Sequence, residues 1–278
     1  MVIFKKEFVE TSFGTISYVR AGNGPAIVLL HGIPSSSFLW WEIIQRLQNR
    51  YTLFAPDLLG YGDSDKPAAM NIAVQAQSEY LIEWAEVLNL ETFNIVGHDI
   101  GGGIAQRILV KKPSLIAKAI LIDSVCYDNW PEPTIDRLKD PSWDERILFR
   151  DIRPGLRRGL EKGLVNQKII TDGLIEAWAA PWLGVSGHKA YLRAARALDH
   201  QDLTEIRNEI EKIQQDVLIL WGEKDAYLDV TSGDRLAKAM SFARLEIHPE
   251  GGHFLPIDQP EWVANHISVF LEEQTNAP

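Results

Sequence analysis

Short apolar runs alternate with amphipathic stretches of helical period along most of this chain, and that alternation restricts the fold more than any other feature. Ala26 to Leu30 is apolar throughout, which suits a strand covered on both faces. Similar runs recur at Tyr51 to Pro56, Phe93 to Val96, Ala117 to Ile122 and Val217 to Trp221. Helical spacing is read over Phe38 to Leu47, Val74 to Leu88, Ile104 to Lys111 and Thr231 to Ala239. Strand and helix in turn predict a parallel sheet covered by helices. Ahead of them, Phe4 to Glu10 and Thr15 to Arg20 flank a Ser12-Phe13-Gly14 turn and read as a hairpin.

A chain of 278 residues is long enough for one large core with an inserted subdomain. Its 46% hydrophobic and 24% charged residues exclude disordered, collagen-like and coiled-coil classes. The net charge of −10, with no long basic run, makes nucleic acid and anionic membranes poor partners. Met1 to Glu10 carries Lys5, Lys6 and Glu7 where a secretory segment needs apolar residues, and no run is long enough to span a bilayer. Cys126 is the single cysteine, so no internal disulfide is possible, and no His/Cys group has zinc spacing. A reducing cytoplasm and chemistry without metal or cofactor are the expectations.

One stretch breaks the rhythm. Residues 125–212 contain no convincing buried strand but several helical pieces, with Pro131, Pro133, Pro141, Pro154 and Pro181 interrupting them. Strand and helix alternation then resumes. The reading is a core formed by residues 1–124 and 213–278 with a helical cap inserted between. Four of the nine Trp fall there, Trp130, Trp143, Trp178 and Trp182, and are expected mainly to pack cap onto core.

The chemistry concentrates in Gly97-His98-Asp99-Ile100-Gly101-Gly102, between the run at Phe93 to Val96 and the helix from Ile104. Small residues around a sharp strand-to-helix turn let the central side chain stand exposed at the sheet edge, here an Asp where Ser is more usual. A plain Asp helix cap has the same local pattern, so the partners matter. His253 lies on a Gly-flanked loop after the strand-like Ala243 to Ile247, and Asp225 follows Trp221-Gly222-Glu223-Lys224. Asp99, Asp225 and His253 thus occur in the order nucleophile, acid, base. Asp123, ending Ala119-Ile120-Leu121-Ile122, is the other acid that could orient the His. In His31-Gly32-Ile33-Pro34 the N–H of Ile33 would join that of Ile100 as two donors to an oxyanion, with His31 a hydrogen-bonding residue beneath. Asp57 to Asp65 reads as a bracing turn.

On these motifs the sequence resembles the α/β-hydrolase superfamily over nearly its whole length, and within it the branch of epoxide hydrolases and haloalkane dehalogenases, which use Asp in the elbow. Ser35-Ser36-Ser37-Phe38-Leu39-Trp40 and Gly62-Asp63-Ser64-Asp65-Lys66-Pro67 are similar to dehalogenase segments. The resemblance implies a mostly parallel eight-stranded sheet with helices on both faces and an inserted cap. It also implies a covalent route. Asp99 attacks an sp³ carbon to form an alkyl ester, and water activated by His253 then cleaves that ester.

The chain departs from the dehalogenase pattern by carrying Ile100 where family dehalogenases usually place Trp, and it has no Arg between Asp99 and Arg107 as fluoroacetate dehalogenases would. A departing halide would depend on cap residues such as Trp130 or Trp182. Tyr191 stands in the late cap, where similar epoxide hydrolases carry a ring-opening Tyr, and Tyr127 at the cap entrance is a second phenol. Epoxide hydrolysis is therefore read ahead of dehalogenation. A hydrolase-fold protein that binds an apolar ligand without turning it over is the alternative of another class. The expected partners are a small apolar organic substrate and water, with the protein a monomer or homodimer.

Overall fold

The computed structural model describes residues 4–274; expectations touching residues 1–3 and 275–278, including the outer limits of both core segments, lie outside the described residues. The strands are β1 (Lys6–Thr11), β2 (Gly14–Ala21), β3 (Ala26–Leu30), β4 (Thr52–Pro56), β5 (Phe93–His98), β6 (Ile116–Ile122), β7 (Asp216–Gly222) and β8 (Ala243–His248). They form one sheet in the order β1-β2-β4-β3-β5-β6-β7-β8. β1 and β2 are antiparallel to each other, and β2 to β4; all other neighbours run parallel. The reason is in the side chains. Ile27, Leu29, Ile95, Val96, Ile219 and Leu220 are fully buried, as strands covered on both faces require, whereas edge strand β1 leaves Phe8 61% exposed.

From β3 the chain moves outward to β4, then crosses back so that β5 pairs with β3 on the other side. The loops leaving β3 and β5 diverge at this reversal, which opens a crevice beyond the carboxyl ends of the strands.

Helices α1 (Trp41–Leu47), α2 (Val74–Val87) and α3 (Ile100–Lys111) match the helical spacing of the sequence, with one difference. Helix α3 begins at Ile100, four residues before the sequence-based start at Ile104. Glycine is a poor helix former, so Gly101-Gly102-Gly103 reads locally as a turn. Packing reverses that preference: a Cβ on Gly101 would lie 2.3 Å from the Leu30 carbonyl oxygen, so only Gly lets the helix start this close to β3.

Between Ile122 and Asp216 the described residues contain helical segments and no strand; the longest are α4 (Arg153–Gly163), α5 (Asp172–Ala179) and α6 (Gly184–Arg196). The prolines do not interrupt them. Pro133, Pro141, Pro154 and Pro181 each sit in the first turn of a helical segment, where the missing N–H has no partner to lose. Trp178 packs edge-on against Phe38 and Phe254, at 6.4 and 5.3 Å between centroids, and Trp182 against Tyr61 at 5.5 Å. Burying about 200 Å² of one Trp is worth on the order of 5 kcal/mol before entropy, so these contacts hold the helical layer on the sheet. Helices α7 (Thr231–Ala239) and α8 (Pro260–Glu272) complete the core. Among the described residues no helix is long and apolar enough to cross a membrane.

Candidate active site

Strand β5 ends at His98, and the next residue adopts φ 54° and ψ −122° before α3 begins. Asp99 is therefore a non-glycine residue at positive φ, a strained backbone that persists only where surroundings fix it. Gly32 is one such surrounding: a Cβ there would come within 2.3 Å of Asp99 Oδ1. Its absence lets the Ile33 N–H donate to that oxygen at 2.9 Å. The Ile100 N–H, next along the chain, also favours the charged form of the Asp99 carboxylate.

The loop after β8 brings His253 over this carboxylate, with Nε2 3.8 Å from Asp99 Oδ2. Nδ1 of the same ring lies 2.9 Å from Asp225 Oδ2, and Asp225 Oδ1 accepts from the N–H groups of Tyr227 and Leu228. Asp123, the other acid read from the sequence, instead accepts the Gly222 N–H through Oδ1 at 2.8 Å. His98 Nε2 lies 2.8 Å from the His253 carbonyl oxygen, which makes it the donor and fixes the backbone of the His253 loop. Asp258 holds the same loop from behind, accepting from Gly252 N–H and from the N–H groups of Val165 and Asn166 at 2.8 to 3.1 Å. Beneath the site, His31 accepts from Leu58 N–H at Nε2 and faces the Gly32 carbonyl at Nδ1, a neutral brace whose pKa burial lowers to about 4.

Burial raises the Asp99 pKa above the ordinary value, although His253 and the Ile100 and Ile33 N–H groups pull the other way. Burial alone would lower that of His253; the charge and hydrogen bond of Asp225, with the charge of Asp99, outweigh it and leave the imidazole raised. Asp123 is pushed well up, first by burial and then by Asp225.

Asp99 and His253 line a cavity of about 620 Å³, together with residues of the helical segments between Ile122 and Asp216. Trp130, Tyr191, Trp178, Tyr227 and Phe254 line it too. The Tyr191 hydroxyl has no hydrogen-bond partner among the described residues, and burial raises its pKa to about 12. Tyr127, which the sequence reading put at the substrate, is not part of the lining. It takes a positive φ of 49°, and its ring stacks under the Arg235 and Arg207 guanidiniums at 4.4 and 5.6 Å. Trp182 is likewise no free donor, because its Nε1 is bonded to the Pro34 carbonyl at 3.0 Å.

The sequence reading missed Tyr227, His98 and Asp258. The signal for Tyr227 was its place two residues after Asp225; that for His98 was its position beside the elbow. Asp258 carried no motif, since its role depends on two loops brought together only in space.

A sheet of this order, with a sharp turn after its fifth strand and a histidine arriving from the loop after its eighth, defines the α/β-hydrolase fold. Residues 27–266 match the model of the alpha/beta hydrolase family, and the chain belongs to that family. It is 30% identical over 267 residues to an uncharacterized protein of Mycobacterium tuberculosis, covering 91% of this chain and 76% of that one. Haloalkane dehalogenase 2 of the same organism is 27% identical over 272 residues, covering 94% and 93%. Among solved structures, an epoxide hydrolase superimposes with a TM-score of 0.83 at 22% identity, over 96% of this chain and 98% of the other, which establishes shared fold.

Proposed function

We propose that this hydrolase opens epoxides of apolar substrates through a covalent ester on Asp99. The observation that carries the reading is the divided environment of one carboxylate: Oδ1 is held by the Ile33 N–H at 2.9 Å, while Oδ2 faces His253 Nε2 at 3.8 Å across the cavity. An Asp attacking an sp³ carbon gives an ester, whereas attack on a carboxylic ester would give an anhydride, so esterase chemistry is disfavoured.

In the first step an Asp99 carboxylate oxygen bonds to a ring carbon, the C–O bond to that carbon breaks, and the alkoxide takes the Tyr191 phenolic proton. Tyr191 suits this task as the cavity hydroxyl without an internal partner, whereas Tyr227 donates to the Gly159 carbonyl at 2.8 Å. In the second step His253 removes a proton from water, and the resulting hydroxide adds to the ester carbonyl. The Ile33 and Ile100 N–H groups meet the oxyanion, a stabilisation for which one donor is typically worth about 10² to 10³ in rate. Collapse releases the diol and regenerates Asp99, and the imidazolium proton returns to the Tyr191 oxygen. Asp225 orients the imidazole and stabilises its charged form. The cytoplasmic setting expected from the lone, buried Cys126 belongs to the same proposal.

Dehalogenation is the second reading, favoured by the 27% identical haloalkane dehalogenase and by the buried, unpartnered indole Nε1 of Trp130 beside the cavity. A panel of epoxides, bromoalkanes and aryl esters separates the readings. Diol formation without halide release supports the proposal, and efficient bromide release with inert epoxides replaces it by dehalogenation. Binding without turnover of any class indicates a ligand-binding protein.

A further inference from the structure

The mouth of the cavity carries a charge opposite to that of the molecule. The chain has a net charge of −10, yet Arg137, Arg146, Arg150 and Arg158 all line this one cavity from the cap, and all four are solvent-exposed. Among the described residues none of the four is paired with a carboxylate. Nearby acids are already matched to other cations: Asp136 to Lys139, Asp144 to Arg196, Asp151 to Arg153 and Glu132 to Lys162. Glu145, on the same helical turn as Arg146, lies outside the cavity lining.

Two of these guanidiniums are also held in place. The Arg137 and Arg146 carbons lie 4.5 and 4.8 Å from the centre of the Trp143 ring, which itself lines the cavity. Stacking fixes the plane of a guanidinium and leaves its N–H groups free, the geometry that receives a carboxylate with two hydrogen bonds. The same cavity is also lined by the apolar Ile135, Leu138, Ile147, Ile152 and Leu156 and by Asp99; Leu138, Ile152, Leu156 and Asp99 are buried where the four arginines are exposed. A charged rim above an apolar sleeve fits an amphiphile, because a neutral substrate would leave the four cations without use.

We propose that the arginine rim is a carboxylate site, so that the substrate is an acid whose apolar chain carries the reacting carbon down to Asp99. Only the choice of reacting group rests on the reading of Asp99 as nucleophile; the carboxylate site does not. A rim of unpaired like charge also raises the local concentration of anions, and this effect weakens as salt rises.

Titration calorimetry with decanoate and decan-1-ol tests the site without any turnover. Decanoate is expected to bind about tenfold more tightly at low salt, and the advantage should vanish in Arg146→Gln/Arg150→Gln and fall with added salt. A kinetic arm compares an ω-epoxy fatty acid with its primary amide, with the acid favoured in kcat/KM by a similar factor and the amide unaffected by the double substitution. Equal binding of acid and alcohol, or an acid preference that survives in both the double variant and Arg137→Gln/Arg158→Gln, overturns the proposal. Decanoate binding as described, with no epoxide turned over, keeps the rim site and removes the epoxide reading. Equal turnover of acid and amide does the reverse.

Discussion

Nδ1 of His253 lies 2.9 Å from Oδ2 of Asp225. Asp123 reaches the same region of the sheet edge but is bonded to the Gly222 N–H, and burial together with Asp225 favours its protonated form. An Asn at 123 preserves a neutral acceptor for Gly222, whereas an Asn at 225 removes the charge that stabilises the imidazolium. Asp225→Asn should therefore lower kcat by a factor of about 10⁴, and Asp123→Asn by less than about tenfold. Steady-state kinetics of the two variants checks this, and the reverse ranking would transfer the orienting role to Asp123.

Tyr191→Phe removes the hydroxyl that has no internal partner while keeping the ring that packs edge-on to Trp182 at 5.6 Å. Epoxide hydrolysis should fall by about tenfold or more, since a missing donor to developing charge costs about 10² in comparable sites. Thermal stability should stay close to that of the wild type. Unchanged epoxide rates in the variant would remove Tyr191 from the ring-opening step.

The pH dependence follows from the direction of each shift. His253 is raised in the free enzyme by the charge and hydrogen bond of Asp225 and by the charge of Asp99, and in the ester Asp99 is neutral; since only the neutral imidazole removes a proton from water, ester cleavage is lost as pH falls through the imidazole midpoint. Asp99, raised above 3.8, is a nucleophile only when ionised and adds to the same acid limb. Tyr191 stays protonated until pH nears about 12 and imposes no loss near neutrality. A kcat profile measured on the purified enzyme should thus show an acid limb and a plateau on its alkaline side; a second loss of rate between neutrality and about pH 9 would contradict this account.

Asp258→Ala deprives three N–H groups of their acceptor, those of Gly252, Val165 and Asn166. Two loops lose their common anchor, and the expected cost is about 2 to 4 kcal/mol, read from the shift of the urea midpoint. Activity should fall with it, because Gly252 precedes His253.

The alternation of apolar and amphipathic segments made the sheet and its covering helices legible, because strands buried on both faces leave no doubt in Ile27 to Leu30 or Leu218 to Leu220. The positions of Asp99, Asp225 and His253 were legible for a related reason: strand ends can be read from local pattern, and each of the three follows the end of a strand, β5, β7 and β8. The three-glycine start of α3 was not, since local propensity opposes it and only the approach to Leu30 permits it. Tyr127 was misplaced because proximity to the cap entrance in sequence says nothing of which way a ring turns, and the cations of Arg207 and Arg235 claim it. The proposed arginine rim was invisible as well, since Arg137 and Arg146 come from two short helical turns, Arg150 from a loop and Arg158 from α4, and they meet only around the cavity.

The covalent ester on Asp99 is tested most directly by intact-mass measurement of His253→Gln after incubation with an epoxide that the wild type turns over. Without a base the first step still proceeds and the second stalls. The variant should gain the mass of one substrate molecule and keep it, the wild type should show none once its substrate is consumed, and Asp99→Ala/His253→Gln should gain nothing. A folded His253→Gln that shows no adduct, with a substrate confirmed for the wild type, would contradict the covalent mechanism.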